Sequence, residues 1–387
     1  MLNNFFTGKI WRFFLLYIAI VLLQYPANGR TYRSELNSRR PVSDNNGKIQ
    51  GTFVRLINYL PKNYVKNGSV DYTSIIQNVL RDNRNVIFPN FPLMINDSGL
   101  KLSSNSSIKF EDGGMLILKA SNRGDYSMIM IQDIENVRID NMVLKGDRNN
   151  HKGTTGEWGM GISILGAKNV SIENSKISDL WGDGIYINKG TGSSQSVNIT
   201  GSTIQRARRN GITVVSGSDI MIDNCRISES NGTLPMAGVC IEPNNNKDYI
   251  GRIKISNIST QSCNTAVHIA LLRYPSNQAR TINIELNGLV SRGDNYAILV
   301  GDFYRKEKYG NNARKLGGKV VLRNISMIDN KKDPIKYFNS KAGYEYGPAF
   351  VFEGMKIQNT RLKASYKTDA ARQLKMRGFD ITNFDRN

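Results

Sequence analysis

The chain has 387 residues and a formal net charge of +20, with 52 lysines and arginines against 32 acidic residues. Such an excess of positive charge favours an anionic partner, and the length is enough for one large domain. Only two histidines and three cysteines are present, with no Cys-x-x-Cys spacing, which argues against a structural zinc site. The odd cysteine count leaves at least one free thiol.

Residues 1–29 are predicted to be a secretory signal peptide. Lys9 and Arg12 precede the apolar run 13–23, and the small residues Ala27-Asn28-Gly29 follow it. A run of this length is too short to span a bilayer, although a short membrane-anchoring helix is the alternative. Without this segment the charge is +18, from 50 basic and 32 acidic residues. A secreted or periplasmic monomer is therefore expected, with an acidic polysaccharide rather than nucleic acid as its partner.

The residues before the repeats predict an extended segment and then a short helix. Residues 30–70 are polar and irregular, and we interpret them as an extended N-terminal segment. Asp71 precedes a stretch with apolar residues at 72, 75, 76, 79 and 80, which predicts an amphipathic helix with Asp71 as its N-cap. The open end of a solenoid exposes its apolar interior, so this helix is expected to cap the first coil.

The centre of the chain is a repeat. Four similar segments begin at Gly161, Gly184, Gly211 and Gly238, which are 23, 27 and 27 residues apart. Each has a second alternating run downstream, as in Asn169-Val170-Ser171-Ile172, and the first three have a third, as in Ser175-Lys176-Ile177. Cys225 takes the position of Ser175 in a later copy, which indicates packing in a stacked ladder rather than a disulfide.

Short strands of period two, all running in the same sense, cannot pair as hairpins within a repeat. They must pair with their counterparts one repeat away and turn Ile and Val into a shared interior. Residues 71–387 are therefore predicted to be an all-β, single-stranded right-handed parallel β-helix with an N-terminal capping helix. A leucine-rich repeat is the competing fold, but Leu is sparse at the turns and no helical period separates the strands.

After the predicted helix come Val86-Ile87-Phe88-Pro89 and Gly99-Leu100-Lys101-Leu102, and then the Asn-Val-x-Ile coils. This order resembles the pectate-lyase-like superfamily of right-handed β-helix proteins. The resemblance implies an enzyme acting on polysaccharide, and the superfamily includes lyases, uronate epimerases, hydrolases and tailspike depolymerases. Gly182-Asp183-Gly184 has no paired Asp and no Gly-His-Gly turn beside it, and no Asp-Pro-His segment occurs. These absences favour a lyase over a hydrolase or an epimerase.

β-Elimination beside a uronic acid needs a base, a proton donor and positive charge on the substrate carboxylate. If Ile162 and its counterparts point inward, then Ser163, Tyr186, Thr213, Cys240 and His268 form one outward column. Coils lie about 4.8 Å apart, so Tyr186 and His268 are expected to be about 14 Å apart and to flank a sugar chain. The predicted catalytic residues are Tyr186, His268, Arg209, Lys247 and Arg273.

Substrate binding is assigned to aromatic, cationic and polar side chains around this column. Sugar rings stack on aromatic rings, and arginine holds carboxylates or sulfates. His151 is included because the insertion 145–157 is the longest between repeats, and long solenoid loops carry function. The predicted substrate-binding residues are Trp158, Asp183, Lys189, Arg208, Asn210, His151 and Tyr274.

Glu242-Pro243-Asn244, with Lys247 nearby and Arg273 one coil later, loosely resembles chondroitinase-B-like lyases. In that family acidic and amide groups hold calcium beside a lysine base. The resemblance implies a Ca²⁺ site at Glu242, although a matching second acid is missing from the same turn. A scheme that uses basic residues without a metal stays open.

The sequence thus predicts a secreted lyase that cleaves an acidic polysaccharide. The strongly positive charge favours a glycosaminoglycan such as chondroitin sulfate, dermatan sulfate or hyaluronan over alginate or pectic chains. The alternatives are a non-catalytic carbohydrate-binding β-helix protein, and a uronate epimerase or glycoside hydrolase on the same fold.

Overall fold

Parallel strands stacked in constant register make up most of the computed structural model of the chain. The structure describes residues 52–274, 278–301, 314–332, 334–337, 347–358 and 380–382. The predicted signal peptide (1–29) lies outside the described residues, as does the predicted extended segment up to residue 51.

One α-helix, α1 (Thr73–Asp82), and a 3-10 helix (Leu56–Tyr59) occur in the described residues. The strands there are β1 (Val54–Arg55), β2 (Asn85–Phe88), β3 (Pro92–Ile95), β4 (Leu100–Lys101), β5 (Ser106–Phe110), β6 (Met115–Leu118), β7 (Asp125–Gln132), β8 (Glu135–Asp140), β9 (Val143–Lys145), β10 (Trp158–Leu165), β11 (Lys168–Glu173), β12 (Lys176–Ser178), β13 (Ile185–Asn188), β14 (Ser194–Thr200), β15 (Thr203–Gln205), β16 (Ile212–Val214), β17 (Gly217–Asp223), β18 (Arg226–Ser228), β19 (Ala237–Ile241), β20 (Arg252–Gln261), β21 (Thr265–Ile269), β22 (Arg280–Arg292), β23 (Tyr296–Val300), β24 (Leu316–Ile328), β25 (Ile335–Tyr337), β26 (Ala349–Gln358) and β27 (Asp380–Thr382).

From β2 to β19, each coil contributes one strand to each of three ladders. The first ladder runs β4-β7-β10-β13-β16-β19-β21-β23-β25. The second starts β1-β2-β5-β8-β11-β14-β17-β20, and the third runs β3-β6-β9-β12-β15-β18. Every strand pair in the described residues is parallel, and the predicted right-handed parallel β-helix is confirmed.

The second and third ladders merge in the later coils. Strand β20 pairs with both β17 and β18, and β22 and β24 continue as single strands of 13 residues. Three separate strands per repeat therefore describe the earlier coils only. From β20 onward, two runs that the sequence shows separately form one long strand.

The predicted capping helix is confirmed as α1, but its N-cap residue is Tyr72 and not the predicted Asp71, which lies one residue earlier. Asp71 Oδ1 accepts hydrogen bonds from Thr73 N at 3.0 Å and from Thr73 Oγ1 at 2.5 Å, which satisfies a free donor of the first turn. Ile76, Val79 and Leu80 are buried in the core at the end of the coils. No helix in the described ranges is both long and apolar enough to cross a membrane.

Side-chain hydrogen bonds from α1 also satisfy the outer edge of the first ladder. Gln77 Nε2 donates to Lys101 O at 3.1 Å, and Lys101 N donates to Gln77 Oε1 at 2.8 Å. Lys101 belongs to β4, the first strand of this ladder, so a glutamine amide takes the place of a neighbouring strand. Within the predicted extended segment 30–70, β1 extends the second ladder through Val54 and Val86.

The interior is filled by the inward columns that the repeat predicts. The side chains of Ile162, Ile185, Ile212, Val239 and Val267 are fully buried. All three cysteines are buried and free. Cys225 lies in the predicted ladder position, and its thiol contacts Asp223 O at 3.3 Å.

The repeated glycine is required by close packing between ladders rather than by an unusual backbone angle. A Cβ at Gly211 would lie 2.4 Å from Ile227 Cγ2 and 2.6 Å from Gly238 O. Gly161, Gly184 and Gly238 meet equivalent contacts with the next coil. Any side chain at these positions displaces a core isoleucine or the next strand.

Gly211→Ala is therefore expected to lower the free energy of unfolding by about 1–3 kcal/mol, because the added methyl group overpacks the core. Gly192→Ala is the matched control, since a Cβ there has nothing within 4 Å. Urea unfolding followed by circular dichroism measures both. Equal stabilities of the two variants would contradict the packing explanation.

Candidate functional site

An outward column of side chains crosses the first ladder in the predicted register. Ser163, Tyr186, Thr213, Cys240 and His268 occupy successive positions of this column. Tyr186 and His268 are partly exposed, whereas the other three are at most 3% exposed. Side chains in this column point outward but are not all exposed, because polar side chains from the preceding turns cover the centre of the column.

The covering group is centred on Arg209, in the turn before β16. Its Nη1 lies 3.0 Å from Asp183 Oδ2, its Nη2 2.6 Å from Glu242 Oε1 and its Nε 3.9 Å from Glu157 Oε2. We call these four residues the Arg209 cluster. Arg209 was predicted to act on a substrate carboxylate, but its charge is already taken up by carboxylates of the protein.

Asp183 supports the Arg209 cluster from the interior. It is fully buried, and it accepts hydrogen bonds from Thr213 Oγ1 at 2.7 Å and from Asn210 N at 2.9 Å. Asn210 is also fully buried, and its amide donates to Thr213 Oγ1 at 2.9 Å. The prediction that Asp183 and Asn210 bind substrate is corrected, because neither side chain reaches the surface.

Three carboxylates around one guanidinium leave an excess of negative charge in the Arg209 cluster. Burial raises the pKa of Asp183 and the pKa of Glu242, and Arg209 opposes both shifts. Burial acts to lower the pKa of Arg209, but the Asp183 and Glu242 carboxylates outweigh it and raise that pKa. The Glu242 side chain is 15% exposed, so a ligand can reach Glu242, whereas Asp183 is fully buried.

Tyr186 and His268 lie on either side of the Arg209 cluster, and their pKa values are shifted in opposite directions. Burial, followed by Asp183 and Glu242, raises the pKa of Tyr186 to about 12, so the phenol keeps its proton at neutral pH. Burial, followed by Arg209, lowers the pKa of His268 to about 4, so its imidazole is neutral. Tyr186 is thus a potential proton donor and His268 a potential acceptor.

The lowered pKa of His268 predicts a pH dependence of stability. The folded protein keeps this ring neutral while the unfolded chain binds a proton below pH 6.5, so stability falls as the pH falls from 6.5 to about 4. The slope is up to about 1.4 kcal/mol per pH unit. His268→Gln is expected to remove this part of the dependence, measured as the difference between the two urea-unfolding profiles. Superimposable slopes would contradict the buried neutral imidazole.

The other predicted catalytic residues, Lys247 and Arg273, lie in the turns that follow β19 and β21. Both are exposed there, and the structure brings neither into contact with the Arg209 cluster. Lys189 Nζ contacts Asp248 Oδ1 at 2.6 Å, so this predicted ligand is already paired. Tyr274 is 1% exposed, and its hydroxyl accepts from Ile250 N at 3.1 Å. Its predicted role in sugar binding is corrected, because it is a core residue.

His151, a predicted substrate ligand, is also buried. Its Nδ1 lies 2.8 Å from Asp147 Oδ2, and its side chain is 0% exposed. Its ring stacks on Trp181 at 3.9 Å, and the Arg208 guanidinium lies 3.9 Å from the same indole. The Trp181 ring is therefore covered on both faces, and His151 supports the turn instead of binding sugar. Trp158, by contrast, is 53% exposed and available for stacking.

The predicted metal role of Glu242 is corrected by its partner. Glu242 faces the Arg209 guanidinium, which lies where a cation bound by Glu157, Asp183 and Glu242 would lie. In the part of the chain that the structure describes, no group of three His, Cys, Asp or Glu residues is arranged to hold a metal ion.

Glu157 belongs to the cluster but is not among the residues predicted from the sequence. It precedes β10 directly, as Asp183 and Arg209 precede β13 and β16 within two or three residues. A charged residue just before each first-ladder strand was therefore a signal in the sequence from which Glu157 could have been identified. Contact between the three residues depends on side-chain direction, which the repeat does not give.

The chain matches the family described as "Right handed beta helix region" over residues 57–232 and 160–300. It belongs to this family. A relative is the protein YclG of Bacillus subtilis (strain 168), 26% identical over 287 residues, which cover 60% of this chain and 49% of YclG. The chain thus spans about half the length of this relative.

Solved structures of other right-handed β-helix proteins share the fold. The exopolygalacturonase of Yersinia enterocolitica has a TM-score of 0.57 and 12% identity, over 80% of this chain and 66% of that one. The endo-xylogalacturonan hydrolase of Aspergillus tubingensis has a TM-score of 0.55 and 16% identity, over 80% of this chain and 93% of that one. At these identities the likeness shows the fold alone.

Proposed function

We propose that this protein binds an acidic polysaccharide along the outer face of the first ladder and cleaves a glycosidic bond at the Arg209 cluster. The observation that carries the proposal is Glu242. It is a partly exposed acid of raised pKa, held at 2.6 Å by Arg209 beside a second accessible carboxylate, Glu157. Such a pair supplies one carboxyl group to donate a proton and a second to accept one, which glycosidic cleavage needs.

The charge of the chain supports an acidic substrate. A net charge of +20 attracts polyanions over long distances. Two proteins of similar fold are named for action on polygalacturonate and xylogalacturonan, which supports a polysaccharide. A place of action outside the cytoplasm follows from the predicted signal peptide, and the glycosaminoglycans predicted from the sequence remain candidates beside galacturonans.

Hydrolysis is the reaction that this geometry favours. Glu242 donates its proton to the glycosidic oxygen as the bond to the anomeric carbon breaks. Glu157 accepts a proton from the water that adds to that carbon, so the proton count is balanced. Arg209 holds both carboxylates, and Asp183 fixes Arg209 from below.

β-Elimination, the reaction predicted from the sequence, is the second candidate. Tyr186 keeps its proton and His268 is neutral, as an acid and a base must be, but three coils of about 4.8 Å separate them, too far to act on one glycosidic bond. Elimination also needs a cation free to neutralise the substrate carboxylate, and Arg209 already faces three carboxylates. For these reasons elimination ranks below hydrolysis.

The test is a product assay on the purified protein with polygalacturonate, alginate, hyaluronan and chondroitin and dermatan sulfates. Reducing ends are measured in parallel with the ultraviolet absorbance of an unsaturated uronate. New reducing ends without absorbance support hydrolysis, and both signals together establish elimination. Binding without either signal would reject cleavage and leave a carbohydrate-binding protein.

A further inference from the structure

Two arginines lie together in the turns before the first-ladder strands, outside the Arg209 cluster. A Cβ built on Gly232 would lie 2.9 Å from Arg208 Cγ and 3.5 Å from Arg148 Nη2. Arg148 belongs to the long insertion before β10, and Arg208 to the turn before β16. Both side chains are partly exposed.

These two arginines are held by uncharged groups. Arg148 Nη1 donates to Arg206 O at 3.0 Å, and its Nη2 donates to Asn231 Oδ1 at 2.6 Å. Arg208 Nη1 donates to Gly156 O at 2.9 Å, which orients the guanidinium over Trp181. In the described residues no carboxylate oxygen lies within 4.0 Å of either guanidinium.

Arg206, a neighbouring arginine, differs from Arg148 and Arg208 because it is paired with a carboxylate. Arg206 makes a bidentate pair with Asp179, at 2.6 Å and 2.9 Å. Arg148 contacts both residues through their backbone carbonyls, not through the Asp179 carboxylate. Its pKa is lowered by burial and by Arg208 and Arg206, with Asp179 opposing. The other acids that face the two arginines, Glu157 and Glu229, act at longer range. Two like charges are thus fixed side by side, an arrangement that a bound anion stabilises.

We propose that Arg148 and Arg208 form an acidic-sugar subsite that takes the carboxylate or sulfate of a residue in the bound polysaccharide. This assignment rests on the proposed function, since it places a second sugar of the same chain beside the cleavage cluster. The proposed subsite and the Arg209 cluster are adjacent at Gly156. Its carbonyl accepts a hydrogen bond from Arg208, and the next two residues are Glu157 of the Arg209 cluster and the exposed Trp158. The subsite selects charged polymers, while the Arg209 cluster acts on the bond.

The subsite is tested by binding to protein that carries Glu242→Gln, so that cleavage does not interfere. Isothermal titration calorimetry is run with polygalacturonate, chondroitin, chondroitin sulfate and neutral dextran. Arg148→Gln and Arg208→Gln are each compared with Lys176→Gln, which removes an exposed charge from the third ladder. Each arginine variant is expected to bind the acidic polymers about tenfold more weakly than the Glu242→Gln protein does. The lysine variant is expected to bind them with the affinity of the Glu242→Gln protein. Arg148→Lys, which keeps the charge but not the planar donor group, is expected to fall between them.

Chondroitin and chondroitin sulfate separate the two kinds of anion. If the arginine variants lose affinity for chondroitin sulfate alone, the subsite binds a sulfate. If they lose affinity equally for both polymers, it binds the carboxylate. Unchanged affinity in folded arginine variants would overturn the subsite and leave the proposed function intact. Failure of the starting protein to bind any acidic polymer would overturn both. Thermal melts of every variant exclude misfolding as the cause of a loss.

Discussion

Arg209→Leu is expected to lower the free energy of unfolding at neutral pH by about 3–5 kcal/mol, because it leaves buried carboxylates without their cation. Asp183 is fully buried, and the Arg209 side chain is only 13% exposed, so solvent screens this loss poorly. Glu242 loses its partner as well. The measurement is urea unfolding, followed by circular dichroism, of the variant and the unmodified protein.

The penalty is expected to depend on pH in a direction that follows from the pKa shifts. Asp183 and Glu242 have raised pKa values, so above the ordinary values of 3.8 and 4.5 the folded form binds more protons than the unfolded form. Stability from these groups therefore falls as the pH rises, and removal of Arg209 raises both pKa values further. The penalty should be smallest below about pH 3, where the carboxyl groups are protonated in both states.

Arg323→Leu is the matched control for Arg209→Leu. Arg323 also pairs with two glutamates, Glu285 at 3.0 Å and Glu353 at 2.5 Å, but on the second ladder, where all three side chains are 27–37% exposed. An exposed network of this kind is expected to contribute about 1 kcal/mol or less. Similar losses in the two variants would mean that the Arg209 cluster is an ordinary surface network.

Glu242→Gln is expected to reduce cleavage of the polysaccharide by about 10²–10⁴-fold while the protein stays folded. Glutamine keeps the shape and accepts the Arg209 hydrogen bond, but it has no acidic proton to give to the glycosidic oxygen. The readouts are reducing ends released per minute and a thermal melt of the same preparation.

Glu285→Gln is the comparison for the Glu242 variant, because it removes another arginine-paired glutamate from a different ladder. Its activity is expected to equal that of the unmodified protein. Full activity in the Glu242 variant would exclude this residue as the proton donor. Loss of activity together with a lower melting temperature would assign Glu242 a structural role instead.

The fold was predictable because a β-helix repeats its physical constraints in every coil. The glycines at 161, 184, 211 and 238 mark the close contact between ladders, and the alternating Ile and Val residues mark the interior. The capping helix followed from one amphipathic run with an acid before it. The fusion of the second and third ladders at β20 was not predictable, because turn and strand residues there differ little.

The site was less predictable, because it depends on pairing among side chains. The column from Ser163 to His268 has the predicted register, yet Asp183 and Arg209 cover its centre. Sequence marks Arg209 as a cation, but only the structure shows the three carboxylates around it. His151 likewise looks like a loop residue in the sequence, whereas the structure buries it between Asp147 and Trp181.

The hydrogen bonds between Gln77 and Lys101 bear on how copies of this protein meet each other. A parallel ladder with an open edge is a template on which another chain can add its own strand. At β4 the backbone amide and carbonyl of Lys101 are already bonded to the Gln77 side chain. Strand addition at this edge must first displace the helix, so filament growth from this end of the first ladder is disfavoured.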